Sequence, residues 1–245
     1  RNRFAILDVY NGTVDRTHSD DDVITKFREG IGSNHLSWGA AYYPFVNTNV
    51  ISSSEVTYSR VSNPDSLTEI LNSEVDSNLE ANKISEAKAE AIKSEIAKII
   101  DPENSDLAST HTILSSVSPT YNLILAQILD SLNIMPPSSA MAGAYSMVDG
   151  AFNVGKAPAN ISLGSVISPC VNINSDDQED MNVPLNGKAV NAIRSFTGKG
   201  TLVWGARTLD GNSQDWRYIS VRRTMTFLEQ SIKSASEAFV FSPNN

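Results

Sequence analysis

The stretch from Gly200 to Arg223, G-T-L-V-W-G-A-R-T-L-D-G-N-S-Q-D-W-R-Y-I-S-V-R-R, decides the fold. Thr201 to Ala206 reads as a short apolar strand, and Trp216 to Ile219 as a second one. The turn-rich Asp210-Gly211-Asn212-Ser213 lies between them. Val221 to Ala235 then has helical periodicity, with Val221, Met225, Leu228, Ile232 and Ala235 on one stripe. A strand, hairpin and helix in succession predicts a sheet with this stripe packed on it.

Working outward, Phe4 to Val9 is nearly all apolar apart from Asp8, as expected of a strand covered on both faces. Asn11-Gly12 turns the chain. Ser19 with Asp20, Asp21 and Asp22 offers a cap and negative charge for a helix carrying Val23, Ile24 and Phe27, which Gly30 closes. Trp38 to Val46 follows as a strand, completing a β-α-β unit. Further on, Ser138 to Val148 reads as a helix, Gly150 to Asn160 as a loop and Ala189 to Arg194 as a short helix. Arg194 to Phe196 reads as a strand, and Phe239-Val240-Phe241 as a returning one. The fold class is α/β, a mixed β-sheet flanked by helices, with a helical insertion.

The insertion is the part that changes character. From about Asn47 to Ser118, Ser, Asn, Glu and Lys dominate, and few large apolar residues are available to bury against the sheet. Ile84 to Ile100 is its best helix, with Ala89, Ile92, Ile96 and Ile99 on one face and Asp101-Pro102 ending it. Tyr121 to Leu132 is a more apolar helix, capped by Ser118 with Pro119 at its first position. The expected organisation is a discontinuous core of residues 1–47 and 119–245 around a polar lobe of residues 48–118, outward-facing and dispensable for the core.

Composition excludes several classes. A chain of 245 residues carrying a net charge of −9 and three His lacks the basic face that displaces counterions from nucleic acid. It favours solubility or a basic protein partner. No apolar run approaches the ~20 residues of a membrane helix, so no direct membrane insertion is expected. The single Cys170 leaves no internal disulfide framework and fits a reducing compartment.

Candidate chemistry is sparse. Gly150 to Lys156 almost spells a phosphate-binding loop, but Ala157 replaces the Mg²⁺-binding hydroxyl and Pro158 follows where a helix should open. Asp176, Asp177, Glu179 and Asp180 after Asn172 and Asn174 suggest calcium, yet the required Gly and the bidentate Glu are missing. A solvated helix N-terminus begun by Ser175 explains them, and the same reading covers Asp20 to Asp22 with His18. Cys170 follows Pro169 in an apolar stretch, and His35 and His111 lack metal-ligand spacing. No catalytic, cofactor-binding or metal residue is therefore assigned, and no cofactor. Arg217, Arg222 and Arg223 flank the start of the last helix, where they oppose its dipole. They call for carboxylates, either within the chain, Asp8 or Glu229 for example, or across a subunit boundary.

Several of these stretches together resemble the tail sheath proteins of contractile phage tails and related contractile injection systems. The resemblance rests on Val203 to Leu209, Trp216 to Arg223, Glu229 to Lys233 and Phe241 to Asn244. It extends to Pro136-Pro137-Ser138 with Ala142 to Tyr145, Lys156 to Asn160, and Leu185-Asn186 with Val190 to Arg194. Near the front it takes in Arg3 to Asp8 and Ala40 to Pro44. It implies a structural, non-enzymatic subunit that self-associates as stacked hexameric rings around an inner tube protein and contracts to drive the tube through an envelope. Baseplate and tail terminator proteins are the other implied partners. The implied location is the bacterial cytoplasm during assembly, then a virion or phage-tail-like particle. In that family more chain precedes the first strand and follows F-x-P-N, so the sequence is read as a fragment lacking N-terminal and C-terminal parts. The rival reading is an α/β enzyme, a hydrolase using Asp8 and Asp149 or a nucleotide site at Gly150 to Lys156.

Overall fold

The computed structural model describes residues 3–17, 19–185 and 187–240. In chain order its elements are β1 (Ala5–Asp8), α1 (Val23–Gly30), β2 (Gly39–Tyr43), β3 (Val46–Thr48), α2 (Pro64–Glu80), α3 (Glu86–Ala97), α4 (Leu107–Val117) and α5 (Pro119–Leu132). Then come β4 (Ile134–Met135), α6 (Ser138–Ala151), β5 (Ile161–Ser162), β6 (Val166–Pro169), α7 (Ser175–Asn182), β7 (Asn191–Phe196), β8 (Gly200–Trp204) and α8 (Ile219–Glu237). The chain divides into two compact units, Arg1–Asn49 with Ile134–Asn245, and Val50–Asn133.

The first unit is built on a five-stranded mixed sheet of order β1-β2-β7-β8-β5. β1, β2 and β7 run parallel, with Ala5 opposite Gly39 and Tyr42 opposite Asn191; β8 is antiparallel to β7 and β5 to β8. Both faces of β2 are covered, which is why its sequence does not alternate. Ala41 and Tyr43 join Val23 and Ile24 of α1 and Met181 of α7 in one core layer. Ala40 and Tyr42 join Met141, Ala144 and Tyr145 of α6 and Ile219 of α8 in the other. A small sheet of order β4-β3-β6 begins where the Trp38 to Val46 segment breaks at Pro44, so this predicted single strand is two strands in two sheets.

Sheet context overrides local pattern at several other places. Ala189 to Arg194, predicted helical, is β7 from Asn191 onward, because the chain fills the gap between β2 and β8. Trp216 to Ile219 makes only the isolated bridge Arg207–Tyr218 before α8 starts at Ile219. Phe239 and Val240 form a turn, and Phe241 lies outside the described residues. α1 is capped by Asp22, whose carboxylate accepts the Thr25 amide, rather than by Ser19.

The second unit is a four-helix unit with a core of its own. Tyr58, Leu67, Leu71, Val75, Ile92, Ile96, Leu114, Tyr121 and Leu125 are among its buried residues. The expected end of the insert at residue 118 is corrected: α5 supplies Tyr121 and Leu125 to this core and belongs with the insert. Ser118 caps α5 through the Tyr121 amide and donates its hydroxyl to Glu74 of α2.

Candidate functional site

The residues that carry the resemblance meet around the junction of β7, β8 and α8. Asn191 is almost fully buried, and its amide donates to the carbonyls of Ala41 (3.1 Å) and Arg207 (2.8 Å) while its oxygen accepts the Arg207 amide (2.8 Å). One side chain thus ties β2 to the segment after β8 and gives buried backbone groups hydrogen-bond partners. This crossing requires a glycine at 205. A Cβ there would stand 2.7 Å from Asn191 Oδ1 and 3.1 Å from its Cα.

Arg222 lies on the next layer, its guanidinium carbon 4.1 Å from the Trp38 ring centroid and 4.3 Å from that of Trp216. The side chain is 6% exposed, and its Nη2 donates to Glu229 at 2.9 Å. Two ring faces and a carboxylate about two turns on offset the cost of a cation in the first turn of α8, each stacked ring contributing up to about 2 kcal/mol when desolvated. Arg223 donates from Nη1 and Nη2 to the two oxygens of Asp149 and stacks over Tyr145 at 4.8 Å. Behind it the Tyr42 and Tyr145 hydroxyls are 2.7 Å apart, and burial pushes the Tyr145 phenol up to about 12. Arg217 instead stacks on Tyr218. The intrachain alternative accounts for Arg222 and Arg223, with Glu229 and Asp149 as the acids and Asp8 uninvolved.

A second ionic cluster, which the sequence reading missed, joins α1 to α7. Arg16 reaches Asp22 (3.0 Å) and Asp180 (2.8 Å), and Arg28 donates to Asp180 Oδ2 at 3.3 Å and to its backbone oxygen at 2.8 Å. Burial alone would raise the Asp22 pKa, but Arg16 and the amides of Thr17 and Thr25 outweigh it and hold the carboxyl below its ordinary value. The stretch Asp176 to Asp180 is accordingly not a purely solvated helix start. Asn174 rather than Ser175 caps α7, Asp177 closes the capping box and is buried, and Asp180 serves the two arginines.

The candidate chemical residues are occupied elsewhere. Asp8 accepts the Ser138 amide (2.8 Å) and hydroxyl (2.6 Å), holding the start of α6, while Asp149 is engaged by Arg223. Gly150 lies within the last turn of α6 and Gly155 in a turn made by Asn153. The loop therefore follows a helix C-terminus, whose carbonyls repel phosphate, and Lys156 lies over the Phe152 ring. Cys170 is half-buried with its Sγ 3.5 Å from Asn47 Oδ1, and burial raises the thiol pKa. His111 Nδ1 is 2.8 Å from the Tyr121 hydroxyl, and His35 takes a left-handed backbone before a single turn of 3-10 helix. His18, Asn186 and Phe241 to Asn244 lie outside the described residues.

α8 departs most from expectation. Ile219 and Arg222 face the core, whereas Val221, Met225, Leu228 and Ile232 are exposed, Ile232 by 65%. At 100° per residue the exposed stripe is centred about 120° round the helix from Ile219 and Arg222. The helix thus has a core side and a second apolar side, and Phe227, Phe239 and Val240 are exposed as well. Among the described residues no helix is long and apolar enough to cross a membrane.

No protein-family model matches the chain. No curated protein matches it significantly. Solved structures do. A chain of an extracellular contractile injection system, the PVC sheath complex in the contracted state, is similar over 99% of this chain and 43% of its own length, at 25% identity and a TM-score of 0.55. A chain of the anti-feeding prophage baseplate, 6-fold symmetrised, is similar over 99% of this chain and 39% of its own, at 23% identity and a TM-score of 0.52. The chain thus spans about two-fifths of the length of these neighbours, all but 1% of it in their common fold.

Proposed function

We propose that the chain is a structural subunit of a contractile sheath, carrying that protein's α/β core and a helical insert. The observation that carries this reading is the likeness in fold to a sheath-complex chain over 99% of the sequence, joined to the structural use of the signature residues. Asn191, Gly205, Trp216, Arg222 and Arg223 brace the base of α8 against the sheet. A rigid core of this kind suits a subunit that changes its neighbours without changing its own packing. Copies repeating through a heterologous interface form stacked rings around an inner tube, capped by baseplate and terminator proteins, and contraction releases energy held behind a kinetic barrier. The exposed stripe of α8 is the surface that assembly would cover. No enzymatic role enters this reading, since the carboxylates of the rival one hold α6 and α8 in place. Assembly would take place in the cytoplasm before the subunit joins the particle.

Immunogold labelling of particles purified from producing cells, with an antibody to this chain, tests the reading. Gold along the outer surface of extended and contracted tubes is expected. Gold confined to soluble protein, with unlabelled tubes beside it, would refute it.

A further inference from the structure

A cavity of about 580 Å³ opens beside the carboxyl end of β1, between α1 and the segment that follows β1. Val14, Val23, Phe27 and Ile31 line it, and Tyr10 beside them is 81% exposed. The segment over it is held in place: Tyr43 Oη donates to the Val14 carbonyl at 2.6 Å, the Phe45 amide to the Gly12 carbonyl at 2.8 Å, and Arg16 is tied to Asp22 and Asp180. The cavity is therefore pre-formed, which lowers the ordering cost of filling it.

Its electrostatics are one-sided. The arginines of this region, Arg16 and Arg28, are 5–6% exposed at their side chains and turned inward into ion pairs. Asp15, Asp20, Asp21 and Glu29 stay on the surface against a single exposed lysine, Lys26, which pairs with Asp21. Asp8, Asp15 and Asp21 line the cavity against Lys26. A small metabolite would need free polar groups converging inside to orient it. Here Asp8 is already held by Ser138, and Asp15 and Asp21 stand at the exposed rim rather than inside. A nucleic acid or anionic lipid would be repelled. A second copy, with a net charge of −9, is disfavoured by overall like-charge repulsion.

From this we infer that the cavity is a docking site for a short basic segment of a different protein, which buries a bulky apolar side chain against Val14, Phe27 and Ile31 and sets flanking Lys or Arg residues against Asp15 and Asp21. Electrostatic attraction at the rim raises the association rate and specificity, and the apolar contact supplies the holding energy.

The probe is a fluorescein-labelled peptide, Gly-Lys-Arg-Phe-Lys-Arg-Gly, titrated by fluorescence anisotropy at low salt, with amide NMR shifts locating the contact. Saturable binding is expected, with shifts at Val14, Thr17, Phe27 and Ile31. Affinity should fall about tenfold or more for the Asp15→Lys/Asp21→Lys variant, whose melting curve verifies its fold, and similarly for the peptide with Phe replaced by Gly. Equal binding of the Gly peptide, unchanged binding by the double variant, shifts elsewhere, no saturation at millimolar peptide, or self-association through these residues would each overturn the proposal.

Discussion

Replacing Gly205 with alanine is the sharpest probe of how the signature residues hold the fold. Its φ lies outside the positive region, so alanine suits the backbone and the effect is steric. The new Cβ would sit 2.7 Å from Asn191 Oδ1, 3.0 Å from its Cβ and 3.1 Å from its Cα. Relief requires Asn191 to move, and Asn191 makes three hydrogen bonds in a site that is 1% exposed. Overpacking costs about 1–3 kcal/mol, and leaving one of these buried groups unpaired costs about 1–3 kcal/mol more. The lower backbone entropy of the unfolded alanine chain returns about 0.4–1 kcal/mol, so a net loss of about 1–5 kcal/mol, centred near 3, is expected. Trp38, Trp204 and Trp216 all lie outside Val50–Asn133, so urea unfolding followed by tryptophan fluorescence reports the sheet unit alone. With an m-value of about 1–3 kcal/mol/M, the midpoint should drop by about 1 M or more. Gly143→Ala, mid-helix with nothing within 4 Å of a new Cβ, should instead stabilise by about 0.5–1 kcal/mol. A Gly205→Ala midpoint within about 0.2 M of the parent's would refute the claim that Asn191 and Gly205 lock each other, since so small a shift implies well under 1 kcal/mol.

Three further outcomes are expected. Arg222→Lys keeps the charge but loses the planar stack between Trp38 and Trp216, and should cost about 1–3 kcal/mol in the same urea assay with a changed tryptophan emission. Asp22 has a folded pKa below its unfolded one, so its contribution is present above the unfolded value near 4 and lost as pH falls through the folded value; Asp22→Asn should flatten the stability-versus-pH slope below about pH 4, and an unchanged slope would remove Asp22 as its source. Replacing 50–133 by a short Gly/Ser linker should leave a soluble, cooperatively folding sheet unit, whereas replacing only 49–116 strands Tyr121 and Leu125 without their core and should aggregate; equal behaviour of the two in light scattering would contradict the boundary.

Much of this architecture could be read from the residues. β1, β2 and β8 share one sheet because apolar runs such as Phe4 to Val9 signal burial on both faces. Helices α3 and α5 follow from spacing and from their start and stop residues. α2 carried a usable signal that went unread, Asn63 before Pro64 with Leu67, Leu71 and Val75 at helical spacing. Other features depend on distant chain. Whether Val190 to Ile193 coils or extends is settled by the gap between β2 and β8, and a stripe such as Val221 to Ile232 reads as core whether or not a partner covers it. The ionic cluster of Arg16, Asp22, Arg28 and Asp180 spans over 150 positions, beyond any local pattern.

The way the insert joins the sheet unit has a consequence for how such chains diversify. Asn47 of β3 pairs directly with Ile134 of β4, and a few residues on, the Asn133 side chain grips both the amide and the carbonyl of Ile51 at 2.9 Å. Entry and exit are side by side, so a guest segment whose own ends meet can be exchanged at this port without shifting the register of β3 and β4. The same port offers a site for grafting a reporter or an affinity module onto the chain.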